Sequence, residues 1–293
     1  EQHVGIALGM DNLIYDAEQA DYTLLQLNPY YTLENDNIRL RVGAHVDWQS
    51  ANGSGIKAAP DVKLDYTFAD TYVAYLHATG GTRLNDFRQQ NEESPYWGVI
   101  NQMRTSYTPA DLQVGFKASP LPGLGFHLFG GYRVTKDEIF HLPGITDTDF
   151  PYCYSLLMQE KAKVGYGGIK AAYGYKDIFD FSVGGTYYGW NVKDEAKVLL
   201  YLKPEFVLDA SARAKVYDEF WISAAYRYEG RVKAGELEKA DAINNLSLSA
   251  GYEFFNSLNV FVRFNNLLNQ DYITEAGYPV QGFNAMAGVS FRF

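Results

Sequence analysis

Polar and apolar residues alternate along most of the chain with a period of two. In 202–216 the even positions are apolar, from Pro204 onward, whereas most odd positions are charged or polar. The same alternation runs through 219–230, 245–254 and 283–293. Because successive side chains of a strand point to opposite faces, each segment predicts a β-strand with one apolar and one polar face. Helical periodicity is almost absent, apart from short turns predicted at 83–91 or 264–270.

The alternation predicts roughly fourteen strands. Their spans are 3–13, 21–33, 37–49, 60–69, 71–80, 109–119, 123–136, 159–175, 178–190, 202–216, 219–231, 243–255, 258–266 and 280–293. Most of them exceed the usual strand length of about 5–6 residues. A length of about 10 residues suits a tilted strand that crosses a bilayer.

Short and long connections between these strands alternate. The short ones are 34–36, 69–70, 120–122, 176–177, 217–218 and 256–257; the long ones are 50–59, 81–108, 137–158, 191–201, 232–242 and 267–279. Short turns at one end and long loops at the other are typical of outer-membrane barrels. An even strand count also places both ends of the sheet on the short-turn side. The pattern predicts one all-β domain over 1–293, a transmembrane antiparallel up-and-down β-barrel with periplasmic turns and extracellular loops.

Composition narrows the class of protein. The 16% aromatic content argues against disorder, the single Cys against a disulfide scaffold, and the net charge of -10 against nucleic-acid binding. Aromatic residues fall near the ends of the apolar faces, as in membrane-interface belts. One belt comprises Phe116, Phe126, Phe179, Phe181, Phe220, Phe254, Phe291 and Phe293, and the other Trp48, Tyr132, Tyr187, Tyr226 and Tyr228. A soluble β-sandwich is the alternative, but the charged opposite faces disfavour a dry core.

The C-terminal 34 residues carry specific motifs. The run VFVRFNNLLNQDYITEAGYPVQGFNAMAGVSFRF (260–293) resembles the end of TonB-dependent receptors in Asn266–Tyr272, Gly277–Pro279 and Gly288–Phe293. KASPLPGLGFHLFGGY (117–132) is similar to a strand-turn-strand unit of that family. The resemblance implies an outer-membrane location in a Gram-negative-type cell. It also implies that the outer-membrane assembly machinery reads the last strand through Val289, Phe291 and Phe293.

The chain departs from the family in size. Family barrels have about 22 strands around a plug, and these residues contain neither a plug nor a TonB box. We therefore expect either the C-terminal portion of a longer receptor or a smaller barrel that shares its ending. The family's ligand residues cannot be transferred, because its ligand loops vary most.

Charged residues on the polar faces are candidates for the barrel lumen. They are Arg39, Arg41, His45, Asp47, Lys203, Glu205, Asp209, Arg213, Arg227, Glu229 and Arg263. Opposite charges on neighbouring strands can pair in a wet lumen, and the same charges can line a solute path. His45 and Asp47 lie two residues apart on one face, so they could also form an acid-base pair.

The long loops carry candidate contact residues. These aromatics are Tyr96, Trp97, Phe140, Phe150, Tyr152 and Tyr154. Exposed aromatics favour contacts with a ligand or a partner. The alternative is that they fold inward and close the mouth of the barrel.

No catalytic, cofactor or metal site is predicted. The chain contains no G-x-S-x-G, H-E-x-x-H or phosphate-loop motif, so it is not expected to be an enzyme. The expected partners are outer-membrane lipids, the assembly machinery and an outer-membrane or lipoprotein partner, without nucleic acid. Solute uptake or passage is the predicted function. A plugless barrel that serves as a structural or interaction subunit is the alternative, followed by an outer-membrane enzyme.

Overall fold

A single antiparallel sheet of fourteen strands dominates the computed structural model, which describes residues 1–15, 21–51, 55–96, 104–145, 153–254, 257–275 and 277–292. Its strands are β1 (Gln2–Leu13), β2 (Tyr22–Glu34), β3 (Ile38–Gln49), β4 (Gly55–Phe68), β5 (Tyr72–Arg83), β6 (Ser106–Leu121), β7 (Leu124–Ile145), β8 (Cys153–Tyr175), β9 (Phe179–Asn191), β10 (Pro204–Lys215), β11 (Phe220–Arg231), β12 (Ile243–Phe254), β13 (Leu258–Asn265) and β16 (Asn284–Phe291). Each strand pairs with the next of these along the chain. The predicted up-and-down order of fourteen strands is therefore confirmed.

Four smaller elements lie in the long connections. Helix α1 (Phe87–Glu93) follows β5, a 3-10 helix (Asp194–Leu200) precedes β10, and β14 (Ile273–Glu275) pairs with β15 (Tyr278–Pro279). Asp86 caps α1, since its side chain accepts a hydrogen bond from the backbone N–H of Gln89. Within the described ranges, no helix is long and apolar enough to cross a membrane.

The prediction of a long loop over 137–158 is wrong for most of that span. β7 continues to Ile145 and β8 begins at Cys153, and the two extensions pair from Glu138 opposite Glu160 onward. A β-bulge between Thr135 and Glu138 separates the extensions from the rest of the ladder. The extra residue moves each following side chain to the opposite face. The period-two pattern is therefore interrupted there, and the sequence does not predict that the strand continues.

The sheet has two chemically different faces. Val114, opposite Leu76 on β5, remains 53% exposed even though strands flank it on both sides. Its chain neighbour Gln113 lies on the other face, opposite His77. A soluble sandwich would bury the apolar face against a second sheet. The apolar face of this sheet is exposed, so the sandwich alternative is wrong.

Aromatic side chains lie at both ends of the apolar face. Near the short turns, the ring of Phe68 stacks on Tyr72 at 5.5 Å and on Phe116 at 6.0 Å between centroids. Toward the long loops, Trp48 and Tyr132 are exposed on the same face. This arrangement matches the two predicted belts, where aromatic rings settle at the membrane interfaces.

The sheet curls, but its two edge strands do not pair in the ranges that the structure describes. Tyr96, between β5 and β6, stacks on Tyr278, between β13 and β16, with ring centroids 3.7 Å apart. A flat sheet would separate these connections by more than about 30 Å at the usual strand spacing. Val4 of β1 is 83% exposed and Val289 of β16 is 66% exposed, because each lacks a neighbouring strand on one side. Closure of the barrel remains a prediction.

Candidate functional site: the inner face of the sheet

Most of the predicted lumen residues lie on the polar face. β3 carries Arg39, Arg41, His45 and Asp47, β10 carries Asp209 and Arg213, β11 carries Arg227 and Glu229, and β13 carries Arg263. Their alternation places them on one side, and the curl of the sheet makes that side concave. We call this concave polar side the inner face.

A buried charge network joins β2, β3 and β4 on the inner face. Arg41 donates from Nε to Asp61 Oδ2 at 2.6 Å and from Nη2 to Asn28 Oδ1 at 3.2 Å. Asn28 donates to the same Asp61 oxygen at 3.2 Å. The Arg41 guanidinium also lies 3.9 Å above the centre of the Tyr30 ring. Three strands are thereby tied together by charge-assisted hydrogen bonds.

His45 and Asp47 do not form the acid-base pair that their spacing suggested. Asn28 Nδ2 lies 3.0 Å from His45 Nε2, whereas Asp47 Oδ2 accepts a hydrogen bond from the backbone N–H of Thr82 at 2.8 Å. No hydrogen bond joins the two side chains within the described part of the chain. Each is therefore committed to a different strand.

A second charge network follows β10 and β11. Arg227 donates to Asp209 on the opposite position of β10 at 3.0 Å and to Glu229 at 2.7 Å. Pairing of opposite charges on neighbouring strands is one of the two roles expected for these residues. Arg213 instead lies 4.5 Å from the centre of the Trp221 ring.

Arg231 extends this network into the loops, although it was absent from the predicted set. Its guanidinium donates to Glu229 at 2.6 Å, to the carbonyl of Leu202 at 2.6 Å and to the carbonyl of Ile273 at 2.8 Å. The residue is almost fully buried. Its position could have been found, because 227, 229 and 231 continue the same alternation.

A small apolar core stands above the inner face at the long-loop end. Leu199 and Leu200 of the 3-10 helix pack with Phe140, Ala162 and Ala234. Phe140 is fully buried, so its predicted role as an exposed contact is wrong. The alternative, in which loop aromatics fold inward, holds for this residue because β7 extends beneath the helix.

Lys203 and Glu205 lie at the rim of the sheet. Lys203 precedes β10, and its Nζ lies 5.0 Å from the centre of the Phe140 ring. Glu205 occupies a β-bulge of β10 and pairs with Lys239 of the next long loop at 3.3 Å. Lys203 therefore contacts the apolar core at the long-loop end, and Glu205 contacts a long loop.

The other predicted contact residues divide into two groups. Tyr96 is exposed, and it bridges two connections through its stack on Tyr278. Trp97, Phe150, Tyr152, the side chain of Tyr154 and the terminal Phe293 lie outside the residues that the structure describes.

Two side chains at the long-loop end have pKa values that differ from their ordinary values. Lys197 Nζ lies 2.7 Å from Asp194 Oδ1, and this hydrogen bond lowers the pKa of the exposed Asp194 carboxyl. Tyr15, after β1, makes an edge contact with Phe87 of α1 at 5.2 Å between centroids. Partial burial there raises the pKa of the Tyr15 hydroxyl.

Two adjacent strands, β6 and β7, are bulged where a cavity opens on the inner face, and the register shifts in all three ladders from β5 to β8. The register shifts between Thr79 and Gly81, between Tyr107 and Ala110, and between Thr135 and Glu138. The resulting cavity, which we call the bulge cavity, has a volume of about 440 Å³. It is lined by Gln26, His45, Thr79, Gly80, Gly81, Thr82, Arg83, Ser106, Thr108, Asp111, Arg133, Thr135 and Glu138.

The chain is similar in fold to several solved outer-membrane receptors. The copper transporter OprC superposes with a TM-score of 0.68 and 14% identity over 93% of this chain and 48% of OprC. The siderophore receptor PirA from Acinetobacter baumannii superposes with a TM-score of 0.68 and 12% identity, over 93% of this chain and 46% of PirA. The pyoverdine outer membrane receptor FpvA from Pseudomonas aeruginosa PAO1 superposes with a TM-score of 0.63 and 18% identity, over 93% of this chain and 43% of FpvA. The fold is that of a TonB-dependent receptor barrel.

These likenesses extend to the fold alone. No family model matches the chain, and no curated protein sequence matches it. The chain spans about half the length of the solved structures that it resembles. The resemblance predicted from the C-terminal motifs is thereby confirmed for the architecture, and solute and partners belong to the proposals below.

Proposed function

We propose that the protein forms the wall of an outer-membrane barrel through which a solute is taken up or passes. The observation that carries the proposal is the contrast between the two faces of the sheet. The outer face is apolar and exposed, as lipid contact requires, whereas the inner face carries ion-pair networks such as Arg41–Asp61 and Arg227–Asp209. Neither face suits the interior of a soluble protein.

Three further features support this function. The neighbours named above are a copper transporter and receptors for siderophores and pyoverdine, so uptake of a solute is the function we infer here. The paired aromatic belts fit outer-membrane lipids as the surrounding medium. Val289 and Phe291 of β16 point outward and are exposed, as a strand read by the assembly machinery requires.

Planar-bilayer recordings of the full-length protein, together with solute flux into proteoliposomes, test this function. We expect solute flux, and where the lumen conducts ions, Arg263→Glu on the inner face should shift the reversal potential toward cation selectivity. Lys176→Glu in the β8–β9 turn is the control, because that charge lies outside the inner face and should shift the potential less. A protein that neither conducts ions nor moves or binds any solute would contradict the proposal.

The edges of the sheet favour a second function, that of a structural or interaction subunit. Unpaired backbone groups are costly in hydrocarbon, so a membrane sheet requires a partner for every edge. β1 and β16 are not paired with each other in the described ranges, and their outward residues are highly exposed. Native mass spectrometry of the full-length protein in mild detergent distinguishes the two functions. A bound second polypeptide supports the subunit function, and a lone monomer contradicts it.

A further inference from the structure

The bulge cavity is shaped by backbone geometry that only glycine permits. A Cβ atom on Gly80 would overlap the carbonyl oxygen of Thr108 on the neighbouring strand. Gly81 has a φ of +134°, which side chains rarely tolerate. Bulges on adjacent strands redirect side chains, and here the bulges of β6 and β7 lie beside one space. The cavity is therefore built by specific local structure rather than by loose packing.

Polar groups of both charge signs line this cavity. Two cationic side chains, Arg83 and Arg133, face two anionic ones, Asp111 and Glu138. Hydroxyl groups complete the wall, from Thr79, Thr82, Ser106, Thr108 and Thr135. His45 carries the one ring in this lining, which contains no Phe, Tyr or Trp. The lining is thus balanced in charge and rich in hydrogen-bonding groups.

Two buried polar atoms of the cavity lining, and one directly behind it, have no hydrogen-bond partner among the residues described. They are Thr82 Oγ1, Arg133 Nε and Asp47 Oδ1. Thr82 is 91% buried, and Asp47 lies directly behind it, because Asp47 Oδ2 accepts the backbone N–H of Thr82. Buried polar groups are normally paired, so such atoms indicate where a ligand's polar groups belong. The guanidinium of Arg133 and the hydroxyl of Thr82 are therefore available together in the cavity wall.

We propose that the bulge cavity binds a small zwitterionic solute of the amino-acid type, an inference that rests on the proposed passage of solutes. The carboxylate of the solute accepts from Arg133, and its ammonium group donates to the carboxylate of Glu138 and to the hydroxyl oxygen of Thr82. Charge-assisted hydrogen bonds of this kind are roughly twice as strong as neutral ones, which favours a zwitterion over an uncharged sugar. A solute with charge of one sign would leave the opposite side of the cavity unopposed.

Calorimetric titration of the full-length protein in detergent micelles tests the site with four probes. We expect L-glutamine to bind, and glutarate, 1,4-diaminobutane and glucose to bind at least about tenfold more weakly. Arg133→Gln and Glu138→Gln should each weaken glutamine binding by about tenfold or more. Arg213→Gln, on the inner face near the short turns, should leave it unchanged. Tighter binding of glucose or glutarate than of glutamine would overturn the proposal.

Thr82→Val separates a binding role from a structural one. Removing an unpartnered buried hydroxyl should raise the melting temperature while weakening glutamine binding. A lower melting temperature with unchanged binding would show that the hydroxyl serves the fold, and would overturn the assignment. Absence of glutamine binding while proteoliposomes still pass solutes refutes the site alone. Glutamine binding without any solute flux into proteoliposomes would support the binding site and refute the proposed passage of solutes.

Discussion

Asp61 is a buried carboxylate of the inner face that forms an ion pair with Arg41. Its side chain is only 6% exposed, and its ion pair with Arg41 is 2.6 Å long. Arg41→Met keeps the aliphatic stem but leaves the buried carboxylate with an amide alone. We expect a loss of about 3–5 kcal/mol in the free energy of unfolding, as for other broken buried pairs. Urea unfolding of the protein in detergent or lipid vesicles measures it.

Arg39→Met is the matched control on the same strand. Arg39 pairs with Glu34 at 2.7 Å, but its side chain is 74% exposed. Exposed pairs contribute about 0–1 kcal/mol, so this substitution should have little effect. Equal losses from the two variants would show that Arg41 and Asp61 are solvated in the membrane-inserted protein.

The alternation identifies which charged residues share the inner face but not which of them meet. Arg41 is bonded to Asn28 and Asp61, which lie on the two flanking strands and depend on the register of both hairpins. The unpartnered hydroxyl of Thr82 could not be predicted either, because the burial of Thr82 depends on contacts between distant segments and not on the local sequence pattern. The face on which each charged residue lies was therefore predictable from the sequence, whereas the hydrogen-bond networks depend on the register of strand pairing.

The turn between β6 and β7 depends on a glycine in a conformation that other residues avoid. Gly123 has a φ of +79°, and a Cβ there would overlap the carbonyl oxygen of Gly174 on β8. Gly123→Ala should therefore lower the free energy of unfolding by roughly 1–3 kcal/mol. Gly125→Ala, two residues later, meets no atom within 4 Å and should change it by less than about 0.5 kcal/mol. Comparable denaturation midpoints for the two variants would argue against the strained turn.

Predicted strand ends coincide with the register shifts around the bulge cavity. The alternation ends at 80 and at 136 and begins at 109, whereas the structure shifts register between Thr79 and Gly81, Thr135 and Glu138, and Tyr107 and Ala110. The bulges of β6 and β7 each insert a residue and reverse the parity of those beyond it, so a period-two pattern stops there. On β5 the alternation stops at Gly80 and Gly81, which have no side chains, although no residue is inserted. The boundaries were thus misplaced at the positions where the chain forms its candidate site.

The number and order of the strands were predictable from the sequence, but the closure of the sheet was not. A period of two reports which face a residue occupies and says nothing about the partner of an edge strand. The curl is visible only in contacts such as Tyr96 with Tyr278, between connections far apart in the sequence. Edge residues such as Val4 follow the same alternation as those of central strands, although their surroundings differ.

The two-faced sheet can be tested with two adjacent residues at the same depth of β6. Val114 lies on the outer face between Leu76 and Gly130, and Gln113 lies on the inner face. Val114→Lys should lower the free energy of unfolding in lipid vesicles by about 2–4 kcal/mol, because a charge then faces hydrocarbon. Gln113→Lys should change it by less than about 1 kcal/mol, since the polar inner face can solvate an ammonium group. Urea titration with heat-modified gel mobility as the readout compares them, and a larger loss from Gln113→Lys would mean that the faces are assigned the wrong way round.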